Sequence, residues 1–169
     1  MTEEISIQSL DNRYSHQAID VILPIQQVEF GVAVTLEQQP DLLDIESFYL
    51  APGGGFWGAF HQGRLVGTIA LVSIGHHAGA IRKMFVRKEY RGKELSVAQR
   101  LLDTLLAYCK DHGITDLYLG TVDVFRAAHR FYERNGFLRI VRGDLPDYFP
   151  RMIPDTIFYH LPLVFPGSK

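Results

Sequence analysis

From Leu95 to His112 the chain carries Ala98, Leu101, Leu102, Leu105, Leu106 and Cys109 at i, i+3, i+4, i+7, i+8 and i+11. That spacing makes one apolar stripe on an amphipathic helix. The stripe has to be laid against another element, and the flanking segments supply a sheet. Before the helix, GFWGAF (55–60) and LVGTIALVSI (65–74) read as strands joined by a turn at His61-Gln62-Gly63-Arg64, and Ala80 to Val86 reads as a third strand after a His76-His77 turn. After it, Gly113 marks the stop, followed by a strand (Asp116 to Val122), a helix (Val124 to Arg134, closed by Asn135-Gly136) and strands at Phe137 to Val141 and Thr156 to Leu163. Upstream, Ile5 to Leu10 alternates as a short strand, and Arg13 to Phe30 has helical spacing that Pro24 kinks or divides. DLLDIESFYL, after Pro40, reads as a short helix ending before Pro52-Gly53-Gly54-Gly55. The expected class is α+β, with a mixed, mostly antiparallel central sheet of about six to seven strands flanked by helices, in a single domain spanning 1–169.

Charge narrows the function. Seventeen Lys and Arg against 19 Asp and Glu give a net charge of −2, which supplies no broad basic field for a phosphate backbone, so nucleic acid is not expected as a partner. Cys109 is the one cysteine and lies within the helical stripe, so no intramolecular disulfide forms, and a buried thiol in a reducing cytoplasm is expected. MTEEISIQSLDNRYS has neither a basic n-region nor an apolar h-region, and no later run reaches the roughly 18 apolar residues of a membrane span. A soluble, unexported protein without a membrane partner is the expectation.

Chemistry concentrates at RKMFVRKEYRGKELSVAQRLLDTLL, a strand running through a basic loop into the amphipathic helix. Ser96 at the N-cap with Gln99 at N3 forms a capping-box pattern, which leaves first-turn N–H groups free near Val97 and Ala98. With Arg87, Lys88, Arg91 and Lys93 close by, these donors make a pocket suited to a pyrophosphate. Taken alone, the same residues also describe an ordinary capped helix behind a solvated basic loop.

KMFV-x-x-x-YRGK ahead of such a helix resembles the coenzyme A signature of GNAT acetyltransferases, Q/R-x-x-G-x-G/A. Lys93-Glu94-Leu95-Ser96-Val97-Ala98 falls on that pattern after a two-residue shift, with Lys for Gln/Arg and Ser for the first Gly. Ala128-His129-Arg130-Phe131-Tyr132-Glu133-Arg134-Asn135-Gly136-Phe137 is similar to the family's A-x-x-F/L-Y-x-x-x-G-F helix, although Phe125 stands where the family commonly has Asn. The resemblance covers roughly Gly55 to Leu163. More locally, GGGFWGAF, AAHRFYERNGF and LPDYFPRM look like a bacterial subgroup, some of whose relatives are fused to winged-helix regulators.

The resemblance implies an acyltransferase that uses acetyl-coenzyme A as acyl donor, without a metal, and acts on an amine of a small molecule or peptide by direct attack. Backbone N–H groups at Met84, Phe85 and Val86 would polarise the thioester carbonyl. Arg91, Gly92 and the Lys93 to Ala98 run would hold the pyrophosphate, Phe125, Ala128 and Phe131 would flank the cofactor arm, and Tyr132 would protonate the leaving thiolate. Many relatives carry a Glu base where this chain has Ala80. Glu29 is the leading substitute, with His76, His77, His160 and Asp155 behind it. Without a strong base, amines partly neutral at pH 7 are favoured, so α-amines of pKa about 7.8 should outperform lysine-like amines near 10.4.

The His76-His77 pair reads as a polar turn rather than a metal site. Phe48, Tyr49, Phe56 and Trp57 read as core before they read as an acceptor wall, and LPDYFPRM is either a structural crossover or part of that wall. A non-catalytic acyl-coenzyme A sensor is the alternative function, and the sequence leaves open whether the chain forms a homodimer.

Overall fold

A computed structural model describes residues 4–92, 96–150, 152 and 155–164. Seven strands, β1 (Ile5–Ser9), β2 (Gly55–His61), β3 (Arg64–Gly75), β4 (Ala78–Val86), β5 (Asp116–Thr121), β6 (Leu138–Ile140) and β7 (Ile157–Pro162), form one sheet in the order β1-β2-β3-β4-β5-β7-β6. The pair β4–β5 is parallel and the others are antiparallel, as the mixed, mostly antiparallel expectation requires. The β2–β3 and β3–β4 hairpins turn on Gln62-Gly63 and His76-His77, all four residues at positive φ. Two-residue turns of that hand match the right-handed twist of paired strands.

The helix α2 (Val97–Asp111) buries Val97, Leu101, Leu102, Leu105 and Cys109 against one face of the sheet, where they meet Ile69, Leu71, Ile81, Leu117 and Leu119. Helix α3 (Arg126–Arg134) adds Phe131 and Tyr132 to the same face. Its end is fixed by N–H bonds from Gly136 to Glu133 O (3.1 Å) and from Phe137 to Tyr132 O (3.0 Å), with Gly136 at φ 88°. That pairing is a Schellman closure, and it sets the last turn carrying Tyr132. On the opposite face, α1 (Ser15–Leu23) and the turns after it cover Phe56, Phe60, Leu65 and Ala70. Tyr49 and Phe56 are thus core, Trp57 packs on the α2 side, and Phe48 is half exposed.

Several boundaries differ from the sequence reading, each for a local reason. The helix begun at Ser15 ends at Leu23, and Pro24–Glu29 winds as a π-helical turn in which Phe30 N–H donates to Ile25 O (3.1 Å). Pro24 has no N–H to give and its ring crowds the preceding turn, so it divides the segment. DLLDIESFYL becomes a 3-10 turn (Pro40–Leu43) and a π turn (Glu46–Leu50), braced by Asn12, which exchanges hydrogen bonds with Asp44 and Glu46. Helix α2 starts at Val97 rather than Leu95, and the capping box does not form. Ser96 sits in the left-handed region (φ 53°, ψ 33°) without a side-chain cap, and the Gln99 amide donates instead to Asp103 Oδ1 (2.9 Å) and Asn135 Oδ1 (3.0 Å).

Candidate active site

Strands β4 and β5 pair only through Ala78–Asp116, Gly79–Leu117 and Ala80–Tyr118. Beyond these contacts they part, and the gap opens into a cleft of about 1020 Å³. Its lining comes from both faces of the sheet. Ala98, Ala128 and Tyr132 belong to the α2–α3 side, while Ile25, Gln26, Phe30 and Gln39 belong to the α1 side. The cleft is therefore a passage through the sheet, and past Ala80 the β5-facing backbone of β4 lacks a strand partner, as a groove that hydrogen-bonds an extended ligand requires.

A bulge in β4 sets the charge of this passage. Ala70 pairs with Arg82 and Thr68 with Phe85, so Lys83 and Met84 together oppose the single Ile69. Lys83 has φ 55°, and its carbonyl accepts from Thr68 Oγ1 at 2.6 Å. Alternation breaks here, as it does wherever an extra residue enters a strand. Lys83, like its neighbour Arg82, projects on the α1 side, and Met84 packs with the α2 core. The buried Lys83 ammonium donates to Gln39 Oε1 and lies 3.6 Å from Asp41 Oδ2, which also accepts from Tyr49 Oη at 2.5 Å. Burial pulls the Lys83 pKa down, and Asp41 opposes that pull. Arg82 donates from Nη2 to Pro150 O at 2.9 Å and lines the cleft.

Opposite them, the Asp155 carboxylate lies over β5, so close to Gly120 that a Cβ there would stand 2.5 Å from Asp155 Oδ2. Burial pushes the Asp155 carboxyl up to about 6, while Arg82 and Lys83 pull it down. Tyr132 lines the same cleft. Burial, then the neighbouring Tyr159 and Asp155, raises its phenol well above the ordinary value. Among the described residues none accepts a hydrogen bond from its hydroxyl.

Of the residues singled out from sequence, Met84, Phe85, Val86, Arg91, Gly92, Ser96, Ala98, Phe125, Ala128, Phe131 and Tyr132 all line this cleft. Lys93, Glu94 and Leu95 lie outside the described residues. Val97 turns its side chain into the core, which leaves only its backbone N–H for a ligand. Gly92, at φ 130°, holds a backbone conformation that side chains disfavour. Phe125 packs edge-on to Phe30 (5.0 Å) and Phe85 (5.8 Å), so an aromatic contact stands where the family's amide would be.

Arg91, at the edge of the cleft, is engaged with Glu29, which does not line it. Glu29 accepts from both terminal nitrogens of Arg91, at 2.7 Å for Nη2–Oε1, and Arg91 Nε donates to Val86 O at 2.8 Å. Arg91 holds the Glu29 carboxyl below its ordinary value, so the lone pairs a base would use are already taken. Arg91, expected beside a pyrophosphate, and Glu29, expected as the base, form a clamp between the π turn and the loop after β4. Arg82 and Lys83 were absent from the sequence-derived site, because the bulge that turns both to one face has no mark in IRKMFV. Asp155 stood only among the lesser candidates for base, and its burial comes from a loop whose path the sequence does not fix. Among the described residues, no group of three or more His, Cys, Asp or Glu is placed to hold a metal, and no helix is long and apolar enough to cross a membrane.

The family model for the acetyltransferase (GNAT) family matches residues 19–137. The chain belongs to that family. The architecture of this GNAT domain is shared with solved members. A GNAT-family acetyltransferase from Staphylococcus aureus Mu50 is 42% identical, with a TM-score of 0.91 over 95% of this chain and 99% of that one. The PaiA N-acetyltransferase of Thermoplasma acidophilum, solved with coenzyme A, is 19% identical and shares the fold (TM-score 0.71, 96% of this chain, 100% of that one). Among curated proteins, N-acetylaspartate synthetase of Danio rerio is 36% identical over 110 residues, which is 64% of this chain. The chain spans 38% of that relative's length.

Proposed function

We propose that this GNAT domain moves an acetyl group from acetyl-coenzyme A to an amine, by direct attack, as a single cytoplasmic domain. The observation that carries the proposal is the passage through the sheet, which has Tyr132 on the α3 side and Asp155, Arg82 and Lys83 on the other. The residues suit an acyl-coenzyme A. The unpartnered edge of β4 offers backbone hydrogen bonds to an extended arm, Ala127 and Ala128 leave room along α3, and Gly92 with the first N–H groups of α2 faces the end where a pyrophosphate would lie. Acetyl-coenzyme A would supply the activated thioester.

The chain's own groups then handle the protons. Asp155 accepts one from the acceptor's ammonium, and the freed lone pair attacks the acyl carbon. As the carbon–sulfur bond breaks, Tyr132 gives its proton to sulfur and regains the one shed by the new amide nitrogen. The reaction yields an N-acetyl product, coenzyme A and one released proton. This assigns the base to Asp155 and leaves Glu29 as a positioning residue for Arg91. N–H groups of the splayed Met84 to Val86 stretch are the proposed donors to the developing oxyanion.

Melting with and without coenzyme A or acetyl-coenzyme A tests the donor half, because a ligand bound only by the native state raises the transition by mass action. A Tm unchanged at saturating ligand overturns the proposal. Thiol release against a panel of amines tests the transfer, and binding without release for every amine would favour the sensor.

A further inference from the structure

The acceptor side of the passage presents two opposite charges that face each other without joining. Arg82 donates to Pro150 O, also engages the Tyr49 phenol, has no ion pair among the described residues and lines the cleft. Lys83 differs in being committed to Gln39 and Asp41. Asp155 is near enough to Arg82 and Lys83 to feel both charges, yet it forms no ion pair with either. A half-buried carboxylate and a guanidinium that line one cleft without pairing give it a negative and a positive wall.

From this juxtaposition we infer that the acceptor is a free α-amino acid, held by its carboxylate on Arg82 and by its ammonium on Asp155. The inference rests on the acetyl-transfer reading above and names its substrate class. A zwitterion carries its two charges on one carbon, so binding across the cleft satisfies both walls at once. A guanidinium fork matches a carboxylate bidentately, which a lysine ammonium does not. The ammonium is then delivered to the base, and its nitrogen lies toward the β4–β5 opening where the thioester would be. Peptide N-termini and α-amino amides offer the amine without the carboxylate, and lysine side chains offer it far from one.

The test pairs each of several amino acids with its carboxamide, its descarboxy amine and a dipeptide bearing it at the N-terminus, all read by thiol release from acetyl-coenzyme A. The expected result is that at least one free amino acid exceeds its three analogues by 10²-fold or more in kcat/KM. In Arg82→Gln the acid should lose at least tenfold, mainly in KM. The carboxamide, which feels only the loss of Arg82's pull on the Asp155 base, should lose far less than the acid, and coenzyme A should still raise the Tm, while Arg82→Lys should restore the acid only in part. Equal use of acid and amide, or preference for the dipeptide, overturns the inference and leaves acetyl transfer standing. An Arg82→Gln variant that loses acid and amide alike assigns Arg82 to holding the Pro150 loop and also overturns it. If no amine is turned over while coenzyme A binds, the transfer reading falls first and this inference falls with it.

Discussion

Tyr132 and Asp155 are both pushed upward by burial, and the shift serves a different end in each. A phenol held protonated remains a proton donor at neutral pH, whereas a carboxyl raised to about 6 is still ionised at pH 7 and is a stronger base than an ordinary carboxylate. Tyr132→Phe should keep the affinity for coenzyme A and lower kcat by about 10²-fold; unchanged turnover would remove the phenol from the reaction. For Asp155, kcat/KM should rise with pH through about 6, and Asp155→Asn should abolish that limb along with most of the turnover. The same group predicts a stability change of opposite sense. Its folded-state value lies above the ordinary 3.8, so ionising it costs the native state stability between pH 4 and 6, and the whole cost is present above about 6. Asp155→Asn should therefore be more stable than wild type at pH 8 by about 1–3 kcal/mol, with the difference vanishing below pH 4. Melting curves at the two pH values check this. Glu29→Gln, by contrast, should leave that pH limb in place and cost about 0.5–1 kcal/mol of stability, as expected for a partly exposed ion pair.

At the scale of elements, the legible and the hidden divide by what sets each one. Helix α2 was readable because its apolar stripe repeats over 15 residues, and α3 because Asn135-Gly136 closes it where Gly136 takes positive φ. The order and number of strands followed from alternation and turn residues, and all seven form one sheet. What the sequence could not display are features decided by three-dimensional pairing. The bulge at Lys83–Met84 is fixed by the register against β3, and the parting of β4 from β5 follows where their pairing stops at Ala80. The capping box at Ser96 does not form because Ser96 is left-handed, whereas an N-cap side chain reaches the first-turn N–H groups from an extended backbone. Gly120 offers a check on how these elements meet. Gly120→Ala would place its Cβ 2.5 Å from Asp155 Oδ2 and 3.0 Å from Phe158 Cε1, displacing the carboxylate from the cleft. Turnover should fall at least tenfold while coenzyme A still raises the Tm; full activity would show that Asp155 need not lie over β5.

Across the whole molecule, the proposed reaction is divided by the passage between the two faces of the sheet, with the donor assigned to the α2–α3 side, the acceptor to the α1 side and the acyl carbon between them. Such an arrangement requires both substrates to be present together, and among the described residues no cysteine lines the cleft to carry the acetyl group in the acceptor's absence. Cys109, the one cysteine, is fully buried in α2 and does not line the cleft, and burial pushes its thiol up to about 12, far from the thiolate that nucleophilic attack needs. Initial rates measured with both substrates varied should therefore give intersecting double-reciprocal lines. Protein incubated with acetyl-coenzyme A alone should show no gain of an acetyl group by intact mass. Cys109→Ala should keep kcat and both KM values within about twofold and lose roughly 1 kcal/mol of stability, because the substitution removes one buried sulfur from a packed helix face. Parallel lines together with an acetylated protein would mean that a residue of the chain carries the acetyl group between two half-reactions. In that event donor and acceptor would not need to meet in the passage at all, and direct attack would be excluded.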